Sequence, residues 1–266
     1  MTDWLSTCRA AADDVRRVLA ELPTRAEREP VVGAGEGGDD TTAIDRAAEQ
    51  VVIEQFRSTG DGLRIVSEEV GELELNGGGE AVLVIDPIDG SLNAKRGIPF
   101  FSLSLALADG PTMADVHEGY VLDLGTGEEW TATRGGGAFL NGERLGAERP
   151  KSRIEILSFE ATRAALVAEH AAAVVGLAHR LRIMGSLALS LCHLAAGRVD
   201  GVCSLKPARS VDIAAAQLLV REVGLAIDLP DAPPFGAAPL DLQPRSRVVA
   251  AGTPDLCAQL AAALGV

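Results

Sequence analysis

Residues 81–93 read AVLVIDPIDGSLN. The apolar run 81–85 reads as a buried strand that ends at Asp86. Pro87 lacks a backbone N–H and fixes φ, so the sequence predicts that the strand stops there. Asp86 and Asp89, three apart across a tight turn, then face one point. Gly90 lets the backbone approach closely, and Ser91 is placed to cap a following helical turn. Backbone N–H groups at such a turn form a seat for an anion. Two carboxylates beside an anion seat describe a metal-bridged phosphate site. An Asx turn at a strand end uses the same residue types, so this segment alone leaves both readings open.

Working outward, Ser67-Glu68-Glu69 follows a short strand at Leu63–Val66 and offers more carboxylates. The loop Asp39-x-x-Thr42-x-x-Asp45 adds two, or caps the helix that follows. Apolar spacing predicts helices over 3–22, 41–58, 161–174, 186–196 and 211–223, the last closed by Gly224. Strands are expected at 101–108, 154–159, 181–184 and 199–204, with a hairpin from 116–122 and 129–133. Residues 30–40 and 135–142 read as glycine-rich loop and turn segments. Strands alternating with helices indicate a layered α/β chain. A soft boundary near 145–153 divides it into halves 1–148 and 149–266 that share a core.

The chain has 266 residues and a net charge of −14. A general nucleic-acid partner would need a basic face, which this balance does not offer. An anionic small substrate would need metal ions or local arginines to offset the field. Of the 24 basic residues only Lys95, Lys151 and Lys206 are lysines, which leaves 21 arginines. Acidic excess with scarce lysine fits a salt-rich, halophilic cytoplasm, where screening makes self-repulsion cheap; a codon bias toward Arg, Ala and Gly explains the same figures. Cys8, Cys192, Cys203 and Cys257 have no zinc-site spacing, and Cys192 and Cys203 read as small core residues. His193 lies in an apolar helix and reads as a core residue. No signal peptide or membrane-spanning run is expected, so a cytoplasmic, membrane-free location is.

Taken together, the motifs resemble the inositol monophosphatase family, and within it the archaeal-type enzymes that also act on fructose 1,6-bisphosphate. The family pattern E-E, then D-P-[IL]-D-G-[ST]-x-N, then [WV]-D-x-A stands here as Glu68-Glu69, Asp86 to Asn93, and Val211-Asp212-Ile213-Ala214. The stretch from Gly135 to Gly142 matches the intermediate G-x-G-A-x-x-N-G pattern with a one-residue offset, and Ile98-Pro99-Phe100-Phe101 is archaeal-type in character. The resemblance implies an α+β, layered α-β-α-β-α sandwich of the sugar-phosphatase type. It implies that Glu68, Asp86, the Ile88 carbonyl, Asp89 and Asp212 hold two or three Mg²⁺ ions, with Mn²⁺ as a substitute. Gly90 and Ser91 amides would hold the phosphate, and Ser91, Asp45 and Glu68 would orient or activate water. Gly185 and Ser186 would contact substrate, and a homodimer is expected. Ser91 stands where many relatives have Thr, and Val211 where many have Trp. The segment 204–209 is one residue short, on the substrate side, with Lys206 and Arg209 as candidates for a second anionic group.

Three functions are compatible with these motifs: a hydrolase acting on inositol 1-phosphate or fructose 1,6-bisphosphate, a 3′(2′),5′-bisphosphate nucleotidase, and a non-catalytic regulator of the same fold. An aromatic content of 3% offers few platforms for an adenine ring. A buried acidic cluster is costly to keep without a metal, which weighs against the regulator.

Overall fold

The computed structural model describes residues 3–38, 40–146, 151–160, 163–231, 233–243 and 246–265. Helix α1 (Trp4–Glu21) and the single turn α2 (Arg25–Arg28) precede hairpin strands β1 (Val31–Ala34) and β2 (Asp40–Thr42) and helix α3 (Ala43–Ser58). Strands β3 (Leu63–Ser67), β4 (Gly71–Leu75) and β5 (Val82–Asp89) lead to the short helix α4 (Ser91–Arg96). Then come β6 (Ser102–Ala108), β7 (Val116–Asp123), β8 (Glu129–Thr133), β9 (Gly137–Leu140) and β10 (Glu143–Arg144). The second half runs β11 (Ile154–Glu160), α5 (Ala164–His170), β12 (Ala178–Arg182), α6 (Leu187–Ala195), β13 (Gly201–Ser204) and α7 (Ser210–Glu222). It ends with β14 (Ala226–Asp228), β15 (Val249–Ala251) and α8 (Pro254–Ala263).

The larger sheet has eight strands in the order β10-β9-β8-β7-β6-β5-β3-β4, antiparallel except where β3 pairs β5. The alternation of its side chains sorts the core into two faces. Leu83, Ile85, Leu103 and Leu105 join the buried stripe of α1 (Cys8, Ala11, Val15) and of α3 (Ile44, Ala48, Val52). Val82, Val84, Ala106 and Val121 point the other way, onto Leu189 and Leu191 of α6 and Ala215, Leu218 and Leu219 of α7. The smaller sheet has five strands in the order β12-β11-β13-β15-β14. Its Val202 and Ala250 join the α6/α7 layer. Its opposite face, with Leu157, Phe159 and Val249, packs on Leu256 and Leu260 of α8 and, with them, on Leu166 and Val167 of α5. The layers therefore run α1/α3, large sheet, α6/α7, small sheet, α5/α8, which is the α-β-α-β-α sandwich implied by the motifs.

Because α6 and α7 sit between two sheets, they are apolar nearly all round and buried along most of their length. Leu219 is 0% exposed in that layer. Leu219→Ala should cost about 2–5 kcal/mol, read as a lower urea midpoint with an unchanged slope; a loss under about 1 kcal/mol would mean that the layer collapses around the cavity.

Several expectations are corrected. The β5 strand does not stop at Pro87. It runs on to Asp89, and its ladder with β6 passes from Asp86↔Ser104 to Asp89↔Ser102. Pro87 and Ile88 thus stand against Leu103 in a bulge, where a missing N–H breaks no ladder bond. Residues 31–34 and 40–42 form a hairpin rather than a plain loop, and 137–140 is a strand. The turn between β9 and β10 is Asn141-Gly142, both at positive φ, the I′ chemistry of a tight hairpin. The strand expected at 181–184 lies at Ala178–Arg182. Asp39 and residues 147–150, part of the boundary expected near 145–153, lie outside the described residues, as do 161 and 162 of the expected helix 161–174.

Candidate active site

The bulge in β5 turns Asp86 and Asp89 toward one cleft of about 610 Å³. Glu68 follows the end of β3, the parallel neighbour of β5, and reaches the same cleft. Asp212 comes from the first turn of α7, in the other half of the chain. Asp86 and Asp89 flank the bulge, Glu68 follows a strand end and Asp212 lies in a first helical turn, places where the backbone leaves room for ligands.

Their environments differ. Asp86 is 1% exposed and its Oδ1 accepts from the Ile88 N–H at 3.1 Å. Burial, with Glu68 and Asp89 adding repulsion, raises its carboxyl well above the ordinary range. The Oδ2 of Asp89 accepts from the Ser186 hydroxyl at 2.5 Å and the Ala188 N–H at 2.8 Å. Burial pushes Asp89 up to about 7 against those hydrogen bonds. Burial likewise pushes Glu68 up to about 7, opposed by Arg209 and assisted by Asp212.

Arg209 is the cation among them. Its Nη2 stands 2.7 Å from Glu68 Oε1 and 2.9 Å from Asp212 Oδ1. Its backbone N–H donates to Asp212 Oδ2 at 2.6 Å. Burial lowers the Arg209 pKa, but Asp212 and Glu68 more than offset that, and the net shift is upward. Arg209 is 9% exposed, and in this structure its guanidinium is paired with these two carboxylates.

The donor set fits Mg²⁺. It consists of hard oxygens that burial leaves in need of positive charge, and such sites favour small divalent cations. As placed, no three of the described carboxylate, imidazole or thiol groups close on one point; the Arg209 guanidinium lies between Glu68 and Asp212.

The second set of predicted residues surrounds this centre. Gly90, at φ 94°, is the N-cap of α4, so Ser91 is its first residue and not its cap. A Cβ on Gly90 would lie 3.0 Å from the Gly185 carbonyl oxygen, so the turn needs glycine. The Ser91 hydroxyl donates to the Ile88 carbonyl at 2.9 Å, which links two predicted site groups. Asp45 Oδ2 accepts from the N–H and the hydroxyl of Thr42, with Lys95 Nζ at 3.5 Å. Its Oδ1 is buried without a hydrogen-bond partner among the described residues. Ser91 and Asp45 line one cleft but are not bonded to each other. Gly185 and Lys206 also line it, Lys206 from an exposed position. Ser186 is 1% exposed and caps α6 through the Leu189 N–H, so it supports Asp89 from behind.

The inositol monophosphatase family matches residues 4–265. The chain belongs to that family. It is 32% identical over 263 residues to the fructose-1,6-bisphosphatase/inositol-1-monophosphatase of Methanothermobacter thermautotrophicus, covering 95% of this chain and 93% of that one. It is 34% identical over 252 residues to the protein of the same name from Archaeoglobus fulgidus, covering 94% and 93%. A crystal structure described as an inositol monophosphatase–fructose 1,6-bisphosphatase superposes with a TM-score of 0.84 at 25% identity, over 98% of this chain and 100% of the other.

Within this family fold, three supporting residues were not singled out from the sequence. Glu49 of α3 is 2% exposed and accepts from the Ser67 hydroxyl and from the Glu69 and Val70 N–H groups, the latter two at 3.1 Å. It fixes the strand end that carries Glu68. Glu160, at the end of β11, accepts from the Gly185 N–H at 2.9 Å and from the Ser158 and Ser190 hydroxyls at 2.8 Å. Lys95, which follows the motif, is the cation beside Asp45. A strand ending in Glu, as β5 ends in Asp, was the available signal for Glu160; helix periodicity alone hides Glu49. Asn93 joins the two turns, its Nδ2 donating to the Met184 and Phe100 carbonyls at 2.8 Å.

Proposed function

We propose that this chain is a Mg²⁺-dependent phosphomonoesterase acting on a small sugar or polyol phosphate, with inositol 1-phosphate and fructose 1,6-bisphosphate as its substrates. The observation that carries this is the meeting of Glu68, Asp86, Asp89 and Asp212 with the Gly90-Ser91 turn in one cleft, in a chain whose relatives bear those activities in their names. The proposal includes two or three Mg²⁺ ions, replaceable by Mn²⁺, and a cytoplasmic homodimer.

Bound Mg²⁺ supplies positive charge that offsets the phosphate oxygens and makes a water easier to deprotonate. The four carboxylates hold that charge, and the Ile88 carbonyl adds a neutral oxygen. Gly90 and Ser91 present backbone N–H groups to the phosphate. Ser91 and Asp45 supply a hydroxyl and an unmet carboxylate oxygen on the same wall, a pair suited to fixing the direction of a water proton. Lys95 and Lys206 add positive charge at the cleft.

The lining favours a sugar over a nucleotide. Among the described residues no aromatic side chain lines the cleft, so an adenine would find no stacking platform. A panel of inositol 1-phosphate, fructose 1,6-bisphosphate and adenosine 3′,5′-bisphosphate, assayed with Mg²⁺ and with chelator, tests this. The expected result is turnover of one or both sugar phosphates, abolished by chelation and restored by Mg²⁺. Preference for the adenosine ester would reassign the substrate; no turnover of any would leave a non-catalytic binder.

A further inference from the structure

We propose that Arg209 is a resident counter-ion of the carboxylate centre, one that must leave Glu68 and Asp212 before a divalent cation can hold both, and that its departure is transmitted to residues 35–38. The proposal rests on the reading of this centre as the Mg²⁺ site.

The geometry leaves little alternative use for this side chain. One guanidinium nitrogen, Nη2, bridges Glu68 and Asp212 at 2.7 and 2.9 Å. A metal ion between the same two oxygens would meet a fixed positive charge at the distance of a hydrogen bond, and like charges at that range repel strongly. Arginine cannot relieve the conflict by losing its proton. It has to move. Buried carboxylates without compensation repel one another, and Arg209 is the only basic side chain paired with Glu68 or Asp212 among the described residues.

The same head group touches the glycine-rich segment. Arg209 Nη1 lies 3.4 Å from the Gly37 carbonyl. Gly37 N–H in turn donates to the Glu68 carbonyl at 2.9 Å, and Glu36 N–H to the Glu69 carbonyl at 3.2 Å. A Cβ at position 37 would lie 2.5 Å from Arg209 Nη1 and 3.1 Å from the Glu68 carbonyl oxygen. Gly37 is therefore the residue that lets this segment close over the ion pair. Glu68, Arg209 and Gly37 form a closed chain of contacts, and withdrawing the guanidinium leaves only the Gly37–Glu68 hydrogen bond of the three.

Mg²⁺ binding and Arg209 pairing then exclude each other, so removing the guanidinium should tighten metal binding. Arg209→Gln should bind Mg²⁺ about 5- to 150-fold more tightly by titration calorimetry, the usual range of coupling between two sites. Its melting temperature should fall in chelator, where the carboxylates lose their counter-ion. In saturating Mg²⁺ it should approach that of the wild type, so the variant shows the larger metal-induced shift. A structure of the wild type with Mg²⁺ should place Arg209 Nη2 more than about 4 Å from Glu68, beyond ion-pair range; this measurement stands even where the variant does not fold. If the wild type binds Mg²⁺ with Arg209 still bridging, or if Arg209→Gln binds it no more tightly and is destabilised equally with and without metal, Arg209 is a fixed strut and the proposal is overturned. A wild type that binds no Mg²⁺ overturns the metal-site reading itself, a result distinct from either.

Discussion

Asp89→Asn should lower kcat/KM on the order of 10²–10³-fold, the loss expected when one preorganised charge is removed from a transition-state centre. The folded chain should tolerate the change. The Oδ2 of Asp89 accepts from Ser186 and Ala188 at the start of α6, and an asparagine oxygen can accept both. The lost negative charge is one that burial already disfavours, so the melting temperature without metal should hold or rise. The decisive comparison is kcat/KM at saturating Mg²⁺ against melting temperature in chelator. Full activity in the variant would remove Asp89 from the centre. An inactive variant with a collapsed melting temperature would instead make Asp89 a strut between the halves.

Ser91→Ala should lower kcat by about 10²–10⁴-fold, the range for loss of a group that positions or transfers a proton. The structure makes this test cleaner than the sequence alone does. Gly90, not Ser91, occupies the N-cap of α4, so the alanine variant gives up no capping bond. It loses the hydroxyl bond to the Ile88 carbonyl, a cost of about 1 kcal/mol. Rate and stability effects therefore separate by size. Ser91→Thr keeps the hydroxyl and should keep most of the rate. If Ser91→Ala turns over at the wild-type rate, the hydroxyl only anchors the Ile88 carbonyl, and the unmet Oδ1 of Asp45 needs another explanation.

What the sequence disclosed was local. The run AVLVIDPIDGSLN shows its carboxylates because spacing of three across a turn is visible in any alignment of letters. The long helices show themselves through the 3.6-residue period. The edge strands were less legible. Gly71–Leu75 reads GELEL and Ala178–Arg182 reads AHRLR, charged segments whose outward faces meet water. The bulge at Pro87 was misread because proline's missing donor argues against a continuous ladder but not against a bulged one. Long-range pairing was not legible at all. Nothing near Arg209 announces that it bridges Glu68, and nothing in α3 announces that Glu49 clasps the end of β3; both follow only from how the layers stack.

The two central helices carry a consequence for synthesis. As the chain leaves the ribosome, residues up to 146 can already pair into the eight-stranded sheet and bring Glu68, Asp86 and Asp89 together. Yet the face bearing Val82, Val84, Ala106 and Val121 is covered by residues of α6 and α7, which have not been translated. At the usual elongation rate of about 5–20 residues per second, this nascent half waits for seconds with an apolar wall bare and the acidic centre lacking Asp212. The four-carboxylate centre is thus a late product of biogenesis. Half-made chains cannot complete it, and the bare wall gives chaperones a surface by which to tell unfinished molecules from finished ones.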